Sequence, residues 1–178
     1  GKVLVSGSDD KTIMAWNVES GALIAVMRGH DSKVTSVSFR SDGRLLASGS
    51  WDKTVRFWQV GEWKQIGALP QFGDSVQCVM FAPAGGLLAV GGYDKTVWMW
   101  DTVTGKYTGI LKGHTGAVYS MAFSRGGSIL SSGGVDKSIR IWNVSKGTLI
   151  KTFPAHTSYV SALAFANEDR ILLSGGFD

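Results

Sequence analysis

The chain repeats itself every 42 residues, and this period constrains its fold more than any other feature. Aspartates and tryptophans both keep the spacing, at Asp10, Asp52, Asp94, Asp136 and Asp178 and at Trp16, Trp58, Trp100 and Trp142. The strings around them align without a gap as SGSDDKTIMAWNV, SGSWDKTVRFWQV, VGGYDKTVWMWDT and SGGVDKSIRIWNV. A second block recurs in register as VTSVSF, VQCVMF, VYSMAF and VSALAF. Two gapless blocks at one spacing indicate a single structural unit copied along the chain.

Each period predicts four short strands. In the second period the apolar run Val34–Phe39 is followed by a turn at RSDG, and Leu45–Gly49 gives a second strand. A turn at residues 51–53 leads into Thr54–Val60, and a fourth strand lies near Lys64–Leu69. Helices should be few, because no segment sustains a 3.6-residue periodicity. Four strands in about 42 residues are typical of one blade of a β-propeller.

The residues resemble the WD-repeat family. A glycine–histidine dipeptide precedes the first strand at Gly29–His30 and Gly113–His114, with the variant Ala155–His156. Trp100–Asp101 is the pair that names the family, and the other repeats depart from it with Trp16–Asn17, Trp58–Gln59 and Trp142–Asn143. The resemblance covers essentially the whole chain and implies an all-β propeller segment of about four blades. The expected division is a partial blade at 1–29, blades near 30–70, 72–112 and 114–154, and a partial blade at 156–178.

Composition narrows the class of protein. The 178 residues include 24 glycines and only three prolines, which suits tight turns between strands better than flexible linkers. The net charge of +4 is scattered along the chain, so we expect no nucleic-acid footprint. Cys78 is the only cysteine, which excludes an intrachain disulfide and favours a reducing compartment. Neither a signal peptide nor an apolar run of about 18 residues occurs, so we expect a soluble, intracellular protein in cytoplasm or nucleus.

A histidine, a serine and an aspartate recur together, which by itself suggests a hydrolase triad. Active sites are not normally copied into successive repeats, whereas a stabilising hydrogen-bond network is. The resemblance implies that these residues, with the third-strand tryptophan, form structural tetrads: His30, Ser48, Asp52 and Trp58, then His114, Ser132, Asp136 and Trp142, with His156, Ser174 and Asp178 in the last repeat. We therefore expect no enzyme activity. The histidine and cysteine spacing also predicts no metal site, and no cofactor is expected.

The third repeat departs from this pattern at two positions together. Phe72 stands where histidine is expected and Val90 where serine is expected, while Asp94 and Trp100 remain. Losing both partners avoids leaving one of them unsatisfied, so we expect this spot to be apolar. Trp98 aligns with Met14, Arg56 and Arg140, and the sequence assigns it to surface or blade-edge packing.

The resemblance also implies that three positions per blade project onto one face, called the top face here. One position precedes the turn aspartate and is occupied by Asp9, Trp51, Tyr93, Val135 and Phe177. Two lie near the start of the first strand, occupied by Lys33 and Thr35, Ser75 and Gln77, Ala117 and Tyr119, and Tyr159 and Ser161. Exposed aromatic residues are frequent binding hot spots. The alternative interpretation is that some of them pack against a neighbouring blade. The predicted partner-binding residues are Lys33, Thr35, Trp51, Gln77, Tyr93, Tyr119, Tyr159, Ser161 and Phe177.

These observations predict a non-catalytic scaffold that binds a peptide or a partner domain on its top face. The alternative is a structural assembly subunit whose propeller closes or oligomerises with other copies or subunits. Four periods also leave the closure of the ring open. The chain is either part of a longer seven- or eight-bladed ring, one half of a ring made by two copies, or a closed four-bladed ring. We expect a protein or peptide partner, and neither nucleic acid nor membrane.

Overall fold

The computed structural model describes all 178 residues, and its regular elements are all strands. No helix is long and apolar enough to cross a membrane. In chain order the strands are β1 Val3–Gly7, β2 Ile13–Asn17, β3 Leu23–Met27, β4 Val34–Phe39, β5 Leu45–Ser50, β6 Val55–Gln59, β7 Lys64–Ala68, β8 Val76–Phe81, β9 Leu87–Gly92, β10 Thr96–Asp101, β11 Lys106–Lys112, β12 Val118–Phe123, β13 Ile129–Gly134, β14 Ser138–Asn143, β15 Thr148–Pro154, β16 Val160–Ala166 and β17 Ile171–Gly176.

Consecutive strands pair antiparallel in five separate sheets, which we call blades one to five. Blades two, three and four have four strands each, β4–β7, β8–β11 and β12–β15. Blade one has three strands, β1–β3, which correspond by the 42-residue spacing to the second, third and fourth strands of a full blade. Blade five has two, β16–β17, which correspond to the first and second strands. The all-β class and the four-stranded repeat are therefore confirmed. In blade two the strands match the predicted segments to within one residue at each end.

The turn between the second and third strands is built by the Asp-Lys-Thr sequence. In blade two, Asp52 Oδ1 accepts hydrogen bonds from the Thr54 N–H at 2.9 Å and from the Thr54 hydroxyl at 2.6 Å. Lys53 between them adopts a left-handed φ of 69°. The short aspartate side chain satisfies donors that the tight turn leaves without a strand partner. The same geometry recurs in blades one, three and four, so the sequence repeat is also a repeat of turn chemistry.

The hydrophobic core lies between the blades. The cluster formed by Ile13, Ala15, Met27, Val34, Leu46 and Trp58 joins blade one to blade two, and two further clusters join the later blades. First strands also bond to each other directly, since the Ser36 and Ser38 hydroxyls accept from the Val79 and Phe81 N–H groups at 3.1 and 3.0 Å. Each blade is therefore stabilised by its neighbours as well as by its own sheet.

A column of glycines sets how closely the blades approach. Gly7, Gly49, Gly91 and Gly133 of the second strands each face a first-strand valine of the next blade. A Cβ added at these four positions would lie only 2.7, 2.6, 2.9 and 2.6 Å from the valine Cγ1. Because such contacts are impossible, the column accepts glycine alone at this spacing between blades. At Gly175 in blade five the same Cβ would meet only Ala162 Cβ, at 3.7 Å.

The two outermost blades carry apolar side chains on an open face. Leu4 of blade one is 59% exposed, whereas its counterparts Leu46, Leu88 and Leu130 are fully buried. Leu173 of blade five is 55% exposed. The middle blades bury this kind of surface against a neighbouring sheet, so the outer blades present two apolar surfaces suited to packing against another sheet.

Candidate functional site

The recurrent polar residues meet in buried hydrogen-bond chains. In blade two, His30 Nδ1 lies 2.7 Å from Asp52 Oδ2, and His30 Nε2 lies 2.7 Å from Ser48 Oγ. The Trp58 indole N–H donates to the same Ser48 hydroxyl at 2.8 Å. Blade four repeats these contacts at 2.7–2.8 Å with His114, Ser132, Asp136 and Trp142. In blade five His156 contacts Asp178 and Ser174 at 2.8 and 2.9 Å, but the trio is more exposed.

The chain of donors fixes the protonation of the histidine. The ionised Asp52 carboxylate can only accept, so His30 Nδ1 carries the proton donated to it. In the neutral ring Nε2 then accepts from the Ser48 hydroxyl, which itself accepts from the Trp58 indole N–H. Burial lowers the pKa of His30 and of His114, against the raising effect of the bonded aspartates. Burial raises the pKa of Asp52, but hydrogen bonds from Thr54, His30 and the Asp31 N–H outweigh it and bring that pKa to about 2.

Blade three keeps its aspartate satisfied by a different donor. Phe72 and Val90 are buried and apolar, as predicted. The Trp98 indole N–H donates to Asp94 Oδ2 at 2.7 Å, where His30 Nδ1 and His114 Nδ1 donate in blades two and four. Its ring also packs edge-on against Phe72 at a centroid distance of 6.0 Å. The sequence assigned Trp98 to surface or blade-edge packing and did not predict this hydrogen bond, which the half-buried indole makes because the Asp94 carboxylate has no histidine donor.

The tetrads make stability depend on pH. The fold holds His30 and His114 neutral, whereas the unfolded chain protonates them near pH 6.5, so the unfolded state binds more protons as the pH falls. The stability due to the neutral histidines is full above pH 6.5 and is lost below it. The Asp52 carboxylate adds a second loss only between its unfolded pKa near 3.8 and about 2.

We expect the Tm, followed by differential scanning fluorimetry, to fall by several degrees between about pH 7.5 and about pH 5. A variant in which both tetrads carry the blade-three side chains should have a flatter profile over this range. An equally steep profile in that variant would show that other groups cause the pH dependence.

In blades two to five, a hydrogen bond holds the backbone of the residue before the recurrent aspartate. The N–H groups of Trp51, Tyr93, Val135 and Phe177 each donate to a carbonyl at the start of the first strand in the same blade, at 2.9–3.1 Å. In blades two to four the turn is closed on its other side by the aspartate bonds described above. A side chain at this position therefore projects from a rigid support.

The first strands contribute through β-bulges. In each of β4, β8, β12 and β16 the register shifts at one residue, and these residues are Thr35, Gln77, Tyr119 and Ser161. A bulge leaves the extra residue unpaired and turns its side chain away from the strand's normal alternation. Nothing in the apolar pattern of these strands signalled the bulges.

Five aromatic side chains on the top face form a continuous series, which we call the aromatic ladder. It consists of Trp51, Tyr93, Tyr119, Tyr159 and Phe177, and successive ring centroids lie 6.0, 6.0, 6.2 and 6.1 Å apart. Three contacts are edge-to-face, and the Tyr93 and Tyr119 hydroxyls are 2.9 Å apart. The hydrogen bond to Tyr93, together with burial, raises the pKa of Tyr119 to about 12. The ladder crosses four blades as one connected, uncharged surface.

The side chains of the other predicted top-face residues differ in the contacts that restrain them. Lys33 forms an ion pair with Asp9 and lies over the Trp51 ring at 5.1 Å. Gln77 Oε1 accepts from the Trp51 indole N–H at 3.1 Å, and the Ser161 hydroxyl lies 3.3 Å from the Gly175 carbonyl. The Thr35 hydroxyl is within hydrogen-bond distance of the Val76 and Gly49 carbonyls, at 2.9 and 3.1 Å. Thr35 thus ties blade two to blade three.

The chain also matches a family model along nearly all of its length. The model is described as WD domain, G-beta repeat, and it matches residues 1–17, 21–59, 63–101, 105–143 and 147–178. Each of the three central matches contains the fourth strand of one blade and the first three strands of the next. Domains of this kind generally act as scaffolds for interactions between proteins and are typically not catalytic. The chain belongs to the WD-repeat family of β-propeller proteins.

Proposed function

We propose that the aromatic ladder is the surface through which this scaffold binds a peptide or a partner domain. The single observation that carries the proposal is the continuity of five rings over the top face at centroid distances near 6 Å. Trp51, Tyr159 and Phe177 are 38%, 41% and 70% exposed, so the rings offer contact area to a partner. Aromatic side chains with this exposure are the residues most often found at binding hot spots.

The ladder is also preorganised. Backbone hydrogen bonds pin Trp51, Tyr93 and Phe177, and ring-to-ring contacts restrict their side chains before any partner arrives. A partner would therefore lose little affinity to ordering of the scaffold. The Gln77 and Lys33 contacts hold the Trp51 ring from two further sides.

The tetrads support a non-catalytic function. Ser48 and Ser132 are fully buried, and each hydroxyl contacts both a histidine and a tryptophan. A nucleophile must reach its substrate, and these hydroxyls have no access to one. We infer an intracellular location from the same family resemblance, since WD-repeat proteins are commonly intracellular.

The test is a peptide library displayed on phage, selected on the chain and measured by fluorescence polarisation. We expect selected peptides to bind with a Kd on the order of 1–100 µM and to lose at least about tenfold in affinity with the W51A/Y93A/Y119A variant. The matched control is I66A/Y107A, which removes exposed apolar side chains from the outer strands β7 and β11. Selected peptides that bind the ladder variant as tightly as the unchanged chain would refute the proposal.

The second candidate function is assembly through the apolar faces of blades one and five, which the exposure of Leu4 and Leu173 favours. Light scattering on the same samples separates the two. Assembly that persists in W51A/Y93A/Y119A while no peptide is selected on the unchanged chain would support the structural subunit instead.

A further inference from the structure

A cleft of about 790 Å³ lies between blades three and four, on the face opposite the aromatic ladder. It is bordered by the turns that join first to second strands and third to fourth strands, which antiparallel pairing places away from the top face. Leu87, Met99 and Leu111 supply apolar floor, and Val144 and Gly147 form part of the opposite wall. The volume is in the range of ligand-binding clefts.

The equivalent groove between blades one and two is filled by this chain itself. Trp63 lies two repeat periods before Gly147 and therefore occupies the equivalent position. By the same spacing, Ala15 and Met27 are equivalent to the floor residues Met99 and Leu111. The Trp63 indole packs against the cluster that contains Ala15 and Met27. An indole therefore lies in the first groove at the repeat position where the cleft has only a glycine.

The backbone at the two positions is the same. Trp63 and Gly147 both adopt a left-handed conformation, with φ values of 57° and 63°. The difference between the filled and the open groove thus comes from the side chain and not from the path of the chain.

The groove between blades two and three carries a large ring as well. Phe57 stands there at the position of Met99 and packs against the buried cluster that contains Leu69. Of the three grooves between successive blades one to four, only the last has neither aromatic side chain. An aromatic ring is therefore the group that this architecture places in such a groove.

One free positive charge stands at the rim of the cleft. Asp101 and Lys146 are the only charged residues in its lining. The Asp101 carboxylate accepts hydrogen bonds from the Val103 N–H at 2.8 Å and the Thr104 hydroxyl at 2.9 Å, so it is committed to its own turn. Lys146 is exposed and forms no ion pair in the structure. Lys146 is therefore available to pair with a carboxylate beside the ring of an occupant.

We propose that this cleft is a second binding site, which takes one aromatic side chain, best an indole, from an acidic segment of a protein partner. The ring fills the space above Met99 and Leu111 that Trp63 fills in the first groove, and a neighbouring carboxylate pairs with Lys146. The site is separate from the aromatic ladder and does not depend on it.

The test uses N-acetyl-tryptophan, which carries a carboxylate, and N-acetyl-tryptophanamide, which does not. Titration into the chain, followed by methyl resonances in NMR, should give one site with a Kd on the order of 0.1–1 mM. The amide should bind about 3–10-fold more weakly, and K146E should reduce this preference or reverse it. W63G should open the first groove and raise the stoichiometry from one site to two.

Two variants fill the cleft and should abolish binding. G147W introduces the side chain of Trp63 from the first groove, and M99F introduces that of Phe57 from the second groove. If one variant fails to fold, the other still tests the proposal. W51A on the ladder should leave binding unchanged. Binding that survives both filling variants, or that is lost in W51A, would overturn the proposal, as would a chain that shows no shifts at ligand concentrations of about 5 mM.

Discussion

Replacing Ser48 with valine should lower the free energy of unfolding by about 2–6 kcal/mol, because two buried groups, at about 1–3 kcal/mol each, lose their partner. The hydroxyl donates to His30 Nε2 and accepts from the Trp58 N–H, and Trp58 is only 2% exposed. Urea denaturation followed by circular dichroism measures the change. A loss of this size is a large part of the stability of an ordinary domain.

Ser48→Val should cost less stability when His30→Phe and Arg56→Trp, which copy Phe72 and Trp98 of blade three, are made together with it. H30F/S48V/R56W gives Asp52 an indole donor in place of the imidazole, as Trp98 does for Asp94. We expect it to recover roughly half of the loss, since one of the two orphaned groups is removed and the Trp58 N–H remains buried. Recovery of nothing would mean that the blade-three residues do not form a self-sufficient unit.

Blade five supplies the matched control for Ser48. Ser174 occupies the same position and contacts His156 at 2.9 Å, but it is exposed. Water replaces a lost partner there, so S174V should change the free energy of unfolding by less than about 0.5 kcal/mol. Equal losses for S48V and S174V would show that burial of the network is not what matters.

Replacing Gly133 with alanine should destabilise the chain by about 1–3 kcal/mol through overpacking. The new Cβ would lie 2.6 Å from Val160 Cγ1, 3.0 Å from Val160 Cβ and 3.2 Å from Leu163 Cδ1. Rotating the valine side chain cannot relieve its Cβ contact, so blades four and five must move apart. Urea denaturation and amide exchange in β16 should both report the change.

Gly175 is the matched control, one period further along. Its added Cβ meets only Ala162 Cβ, at an ordinary 3.7 Å. Since glycine weakens a strand interior relative to alanine by roughly 0.5–1 kcal/mol, G175A should be neutral or slightly stabilising. If G133A were as mild as G175A, the glycine column would not set the spacing between blades.

Much of the fold could be predicted because the same pattern of strands and turns recurs in four repeats of the sequence. Alternating apolar residues and the Asp-Lys-Thr turns are local signals, and blade two follows them closely from Val34 to Ala68. The partners of His30 could be anticipated only through the family resemblance. Its hydrogen bonds join residues 18 and 22 positions apart, which no local pattern specifies.

The features that escaped prediction depend on strand register or on a side-chain contact that the alignment of the repeats does not show. The bulges at Thr35 and Tyr119 change register without changing the apolar pattern. Trp98 looked like a tolerant position because Met14 and two arginines align with it, and its bond to Asp94 appears only in three dimensions. The signal that was available was the joint loss of His and Ser, which leaves an aspartate in need of a donor.

The exchange of donors at Asp94 also limits the order in which a repeat can diverge. If Val90 had replaced serine first, a histidine and a tryptophan would have lost a partner at once, and that intermediate is the costly S48V case. Had tryptophan entered position 98 first, Asp94 would have gained a second donor before the histidine was lost. The least costly mutational paths for such a repeat are therefore those in which a new hydrogen-bond donor is introduced before the old one is lost. Neighbouring blades should accordingly diverge by linked sets of substitutions and not by one position at a time.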